Sequence, residues 1–145
     1  MKRTKARECA LQVLFMLDES NQSLQFTPTT AEQALKTYFS QFSQTQSDAT
    51  LDREHLEKII TLILANQSDI DARIEKYSDN WKLSRITRVD RNILRVAACE
   101  LLYMKDNVPT KVAFDEAIEM AKRYGTDESA AFINGILDPL FKKEA

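Results

Sequence analysis

From Ile86 to Met104, apolar residues recur at helical spacing at Ile86, Val89, Ile93, Val96, Ala97, Leu101 and Met104, and Leu94, Ala98 and Leu102 widen the stripe beyond what a surface helix needs. A helix this apolar has neighbours on several sides, so the rest of the chain has to be arranged around it. Its polar strip carries Arg88, Arg91 and Arg95, at i, i+3 and i+7 on one line. Two uses fit them. They can pair with acids of a packed helix, since a guanidinium keeps its head wet while its stem packs, or the strip can face a partner macromolecule. The residues alone leave both open.

Two Gly and three Pro in 145 residues mean long regular elements with few tight turns, and argue against glycine-rich phosphate loops. The periodicity agrees. Ala6, Ala10, Val13, Leu14 and Leu17 predict a helix from Thr4 to Asp18, and Ala31, Ala34, Leu35, Tyr38, Phe39 and Phe42 a second. Polar residues 19–30, with Pro28, form a loop, and residues 40–50 a Ser/Gln/Thr-rich connector. Thr50 can cap a third helix to Asn66, burying Leu56, Ile59, Ile60, Ile63 and Leu64, with His55 expected at its surface. Ser68 and Asp71 resemble a capping box for a fourth helix reaching Tyr77, after which Trp81 is expected wedged between helices. Beyond the central helix, Pro109 suits the first position of a sixth, stopped by Gly125. Thr126 or Asp127 caps the seventh, carrying Phe132, Ile133, Ile136, Leu137 and Leu140. Pro139 is expected to kink or end it, and Gly135 to allow close approach of another backbone. Seven helical segments and no strand make the chain all-α, within one domain spanning 1–145.

Charge is distributed unevenly. Residues 1–7 hold Lys2, Arg3, Lys5 and Arg7 with no acid, while the remainder holds 16 basic and 22 acidic groups, an acidic body with a basic arm. The helix dipole does not favour cations at an N-terminus, so the arm is not there for helix stability. A four-cation start is often only a solubilising terminus, but Arg3 and Arg7 share a face, and Gln12 further along offers an amide for a base edge. Cys9 and Cys99 are too far apart in sequence for a metal pair, and read as small buried groups in a reducing compartment. One His, no metal cluster and no phosphate loop make catalysis improbable and leave no cofactor to expect. No apolar run approaches membrane-spanning length, and the expected location is the cytoplasm.

The last third carries a series of residues: Asp90-Arg91, Leu94-Arg95, Glu100-Leu101, Pro109, Val112-Ala113, Glu116-Ala117, Ala121-Lys122, Gly125 and Phe132-Ile133-Asn134-Gly135-Ile136-Leu137-Asp138. Near the start stand Arg7-Glu8, Ala10, Gln12 and Leu14-Phe15. Over residues 81–138 and 5–17 this resembles the NusB family of bacterial transcription antitermination factors.

The resemblance implies two helical sub-bundles, here 1–66 and 67–145, and a non-enzymatic protein that binds the single-stranded boxA element of nascent ribosomal RNA. Its partner in that role is NusE, the small-subunit ribosomal protein that doubles as a transcription factor, and the pair helps RNA polymerase resist termination. Carried over residue by residue, the resemblance places Lys2, Arg3, Lys5, Arg7 and Gln12 in the RNA-binding start. It places Tyr77, Tyr124 and Phe132 near the RNA path, Glu128 beside it, and Asp90 where the family meets NusE. The start departs from the family's denser arginine run, and Cys99 and Asp115 replace a frequent Tyr and Asn. Single strands are held by phosphate contacts and by bases stacked on aromatics, tasks these residues can serve. Other readings of the same residues are the NusB-like N-terminal module of an rRNA methyltransferase, or a protein-binding helical adaptor or homodimer.

Overall fold

The computed structural model describes residues 3–18, 29–42, 48–79 and 81–144. They form α1 (Arg3–Leu17), α2 (Ala31–Gln41), α3 (Arg53–Lys76), a short 3-10 turn (Leu83–Arg85), α4 (Arg88–Tyr103), α5 (Thr110–Tyr124) and α6 (Ser129–Glu144). No strand occurs among the described residues. The hub is α4, which packs on α1, α3, α5 and α6. Every residue from Asp90 to Leu101 is buried, as the breadth of the apolar stripe requires. Each large side chain enclosed there, such as Ile93, Leu94 or Leu101, contributes about 1.5–3 kcal/mol by leaving water.

The third and fourth predicted helices are one element. α3 runs through residues 66–68, interrupted only at Asn66 (φ −127°, ψ 22°), whose side-chain amide donates to the Leu62 carbonyl at 2.8 Å. That bond occupies a carbonyl in the disturbed turn, so the helix kinks rather than ends. Its N-cap is Asp52, accepting from the His55 amide at 3.1 Å; Thr50 instead binds Asp48. Asp71 turns inward to Arg95 and caps nothing.

Four further expectations change. His55 is buried, its Nε2 2.7 Å from Glu100. Trp81 is 52% exposed and meets Phe132 edge-on rather than filling a wedge. α6 continues through Pro139 to Glu144. The donor Pro139 lacks would have served the carbonyl of Gly135, which is exposed and can be solvated, so the break costs less than inside a core. No backbone approaches Gly135 either: a Cβ there would meet nothing within 4 Å. The close approach is at Gly125, where a Cβ would collide with the Ser129 side chain and lie 2.8 Å from the Ala121 carbonyl.

Two of the three central arginines are internal. Arg91 grips Asp18 with two bonds (2.7 and 2.9 Å), and Arg95 grips Asp71 with two more (2.8 and 3.0 Å) while reaching Asp18 at 3.1 Å. Asn92 donates to the same Asp18 oxygen at 3.1 Å. Burial pushes the Asp18 carboxyl up, but the Arg91 and Arg95 charges and hydrogen bonds outweigh it and hold the group below its ordinary range. Arg88 differs: it lies over the Phe15 ring, 4.9 Å from its centroid.

Candidate nucleic-acid interface

The basic arm divides when folded. Lys2 lies outside the described residues. Arg3 stays partly exposed at 41%, donating to the Asn107 carbonyl at 2.6 Å, and Lys5 is half-buried. Arg7 is turned inward. Its Nε bonds both oxygens of buried Glu100 (2.8 and 3.0 Å) and its Nη1 reaches Glu116 at 3.3 Å, where the Thr4 hydroxyl also donates. The expectation that Arg7 meets phosphate is therefore corrected: it faces the core because two carboxylates, one also held by His55, draw it there. Burial raises the Glu100 carboxyl, but the His55 and Arg7 hydrogen bonds lower it further, below the ordinary range.

Gln12 is exposed and accepts from the Tyr38 hydroxyl. It borders a groove of about 380 Å³ lined by Leu11, Phe15, Phe42, Val89 and Tyr124 among others. Phe15, Phe42 and Tyr124 are 41%, 45% and 39% exposed around one groove, Phe15 with Arg88 over its ring and Phe42 with its centroid 4.9 Å from that of Tyr38. Tyr124 is oriented by donating to Glu8 at 2.7 Å, a carboxylate also paired with Arg123. Beside the groove, Asp90 starts α4: its amide donates to Thr87 at 3.2 Å, but its Oδ1 is buried with no donor.

From Tyr124 the chain turns through Gly125 into exposed Glu128 and half-buried Phe132 on α6. Tyr77, at the far end of α3, donates to Glu144 at 2.6 Å and has the Lys76 and Lys143 ammoniums 5.4 and 5.9 Å from its ring centre. The expected positions are thus spread out: Gln12 and Tyr124 line the groove, Asp90 follows its Val89, Phe132 sits in the first turn of α6, and Tyr77 lies at the opposite end of α6 against Glu144.

A family model described as the NusB family matches residues 4–142. This chain belongs to the NusB family. It is 40% identical over 138 residues to the transcription antitermination protein NusB of Anaeromyxobacter sp. (strain Fw109-5), covering 95% of this chain and 88% of that protein. The fold is similar to that of T. maritima NusB, with TM-score 0.79, 36% identity and coverage of 100% and 94%. It is also similar to a chain from a crystal structure of antitermination factors NusB and NusE in complex with dsRNA, with TM-score 0.75, 24% identity and coverage of 97% and 96%.

Three surface groups of this NusB-family site carry no clear mark of exposure in the sequence. Phe42 falls on the core stripe of α2 by spacing, but it is the helix's C-cap and projects past the last turn. Phe15 lies off the stripe of α1, but it directly follows Leu14 and an apolar residue there reads equally well as a widening of the core face. Trp81 follows a turn, where burial is hard to foresee.

Proposed function

We propose that this chain is a non-enzymatic antitermination factor that binds single-stranded boxA RNA together with NusE and helps RNA polymerase resist termination during ribosomal RNA synthesis, in the cytoplasm. The observation that carries this reading is family membership across nearly the whole chain, with relatives that are transcription antitermination proteins. The surface supports it: Arg3 and Lys5 supply charge for phosphate, Gln12 an amide, and Phe15, Phe42, Tyr124 and Phe132 ring faces for bases. Tyr77 and Glu128 flank the same path, and Lys2 extends its cationic start. The acidic remainder repels RNA elsewhere.

Asp90 is the proposed contact with NusE, the role that the family resemblance gives this position in the first turn of α4. Binding rather than catalysis fits the single histidine, whose ring is held by Glu100 inside the protein. Among the described residues no helix is long and apolar enough to cross a membrane. Two sub-bundles, 1–66 and 67–145, would meet at the Asn66 kink. Titration of labelled boxA RNA with and without NusE tests the proposal: preference over a scrambled strand, increased by NusE, is expected, and equal binding of both strands in both conditions would refute it.

A further inference from the structure

One face of α6 is unusual. Phe132, Gly135, Pro139 and Lys143 follow one another at spacings of three, four and four, so they line a single strip. Gly and Pro inside a helix cost roughly 1 and 3 kcal/mol against Ala. Neither has an internal reason here, since a Cβ at Gly135 would meet nothing and Gly135, Pro139, Lys143, Tyr77 and Lys76 border an open cavity of about 590 Å³ that Asp79 and Glu144 also line, Glu144 being held by Lys76, Arg73 and Tyr77. The carbonyl of Gly135 also lacks its i+4 donor because residue 139 is proline.

At the head of this strip stands Trp81, the most exposed large apolar side chain among the described residues. Its backbone is tied to Ser78. Asp79 takes a left-handed φ of 47°, tolerated by Asp. The Trp81 amide donates to the Ser78 carbonyl at 3.0 Å, and the buried Ser78 hydroxyl lies 2.6 Å from the Trp81 carbonyl. The ring forms a T-shaped pair with Phe132, centroids 6.3 Å apart and planes at 76°, and 52% of the residue's surface remains exposed. Lys82 follows directly, and neither Lys82 nor Lys143 has a carboxylate within salt-bridge distance among the described residues. Two lysines without such a partner, Lys82 and Lys143, thus lie near an exposed indole.

We infer that Trp81 stacks one unpaired base of the bound RNA, whose sugar-phosphate runs along the flat strip over Gly135 toward Lys143. The inference rests on the RNA-binding reading and adds to it a subsite that discriminates unstacked from paired strands. A stacked base needs an exposed ring held still. A ribose lying on a helix needs no side chain beneath it and finds in the Gly135 carbonyl an acceptor for its 2′-hydroxyl. Lys82 and Lys143 face the phosphates, while Lys76 stays paired with Glu144 at 3.2 Å.

Trp81 is the only tryptophan, so its emission reports on the subsite directly. Single-stranded boxA RNA and a scrambled strand are titrated against the full chain, with and without NusE, following Trp81 emission and, in parallel, the anisotropy of labelled RNA. The expected result is quenching on boxA binding, a loss of affinity of roughly five- to hundredfold in Trp81→Ala with unchanged thermal midpoint, and recovery in Trp81→Phe. Gly135→Ala should raise the thermal midpoint yet weaken RNA binding, opposite signs that a purely structural glycine would not give. Tight boxA binding with unaltered emission and an unaffected Trp81→Ala would overturn the inference and leave the proposed function standing. So would emission that responds to NusE alone, which would make the corner a protein contact. Absence of boxA binding by the unsubstituted protein in both conditions would overturn both.

Discussion

Arg7 and Glu100, 93 positions apart, join the start of α1 to the middle of α4 through two hydrogen bonds from one guanidinium nitrogen, at 2.8 and 3.0 Å, with both side chains almost fully buried. The pair converts part of a cationic terminus into a tie-rod. Breaking it by removing one partner leaves an uncompensated buried charge, so Arg7→Ala or Glu100→Ala should cost about 3–5 kcal/mol. Arg7→Lys should lose much of that too, because a point charge cannot reproduce the planar fork. Chemical denaturation of the three variants checks this. Full stability of Arg7→Ala would mean the arginine is free to serve elsewhere.

The arm's remaining cations should behave differently. Arg3→Ala with Lys5→Ala should leave the stability within about 1 kcal/mol of the parent, and reduce the log–log salt dependence of RNA binding by at most about 0.7 for each phosphate no longer neutralised. Binding isotherms across a series of salt concentrations measure it. A slope unchanged in the double variant would remove the arm from the strand path.

Acid should unfold the protein through its buried carboxylates. Asp18 and Glu100 are both held below their ordinary values in the folded state. A depressed folded value contributes stability that is complete above the unfolded value, near pH ~4, and drains away as pH falls through the folded one. The thermal midpoint should thus stay nearly flat from about pH 7 to about 5 and drop below about 4. Asp18→Asn should start lower and show a shallower acid limb, which a series of thermal melts across pH would reveal.

How much of this is readable in the sequence depends on range. The centrality of α4 is visible because an apolar circumference is a local property, and the pairing of Arg91 and Arg95 with packed acids is one of the two uses their strip allows. The inward turn of Arg7 is not visible, since it depends on Glu100 and Glu116 arriving from other helices. His55 shows the same limit: a lone imidazole on a helix reads as surface until Glu100 is placed beside it. The merger of two predicted helices at Asn66 turns on one side-chain amide binding Leu62, a feature weaker in sequence than the Ser/Asp pattern that suggests a new start. For the site, aromatic identity is legible and exposure is not. Gln12 and Tyr124 do border one groove, but two of its partly exposed rings, Phe15 and Phe42, sit within helical patterns that give no sign of a shared surface.

Gly125 is a second structural test. Its φ of −91° is open to any residue, so the demand is steric, set by Ser129 and the Ala121 carbonyl. Gly125→Ala should destabilise by about 1–3 kcal/mol through overpacking. Pairing it with Ser129→Ala should recover part of the loss, and the double-variant cycle in denaturant would quantify that recovery.

The proposed NusE contact at Asp90 can be tested apart from folding. Asp90→Asn removes a charge near a helix start, worth at most about 1 kcal/mol there, while the loss of a charged acceptor at a desolvated contact should weaken NusE binding by about 2–5 kcal/mol. Calorimetric titration with NusE reads the second effect and thermal melting the first.

The central claim is that an unpaired RNA strand lies on the face running from Arg3 and Gln12 past Tyr124 to Phe132. Mapping amide chemical-shift changes as boxA RNA is added tests it most directly. Perturbations concentrated at residues 3–15 and 124–135, with the groove between α2 and α3 around Leu35 and Glu57 silent, are predicted; the reverse distribution, centred on that α2–α3 groove, would contradict the account.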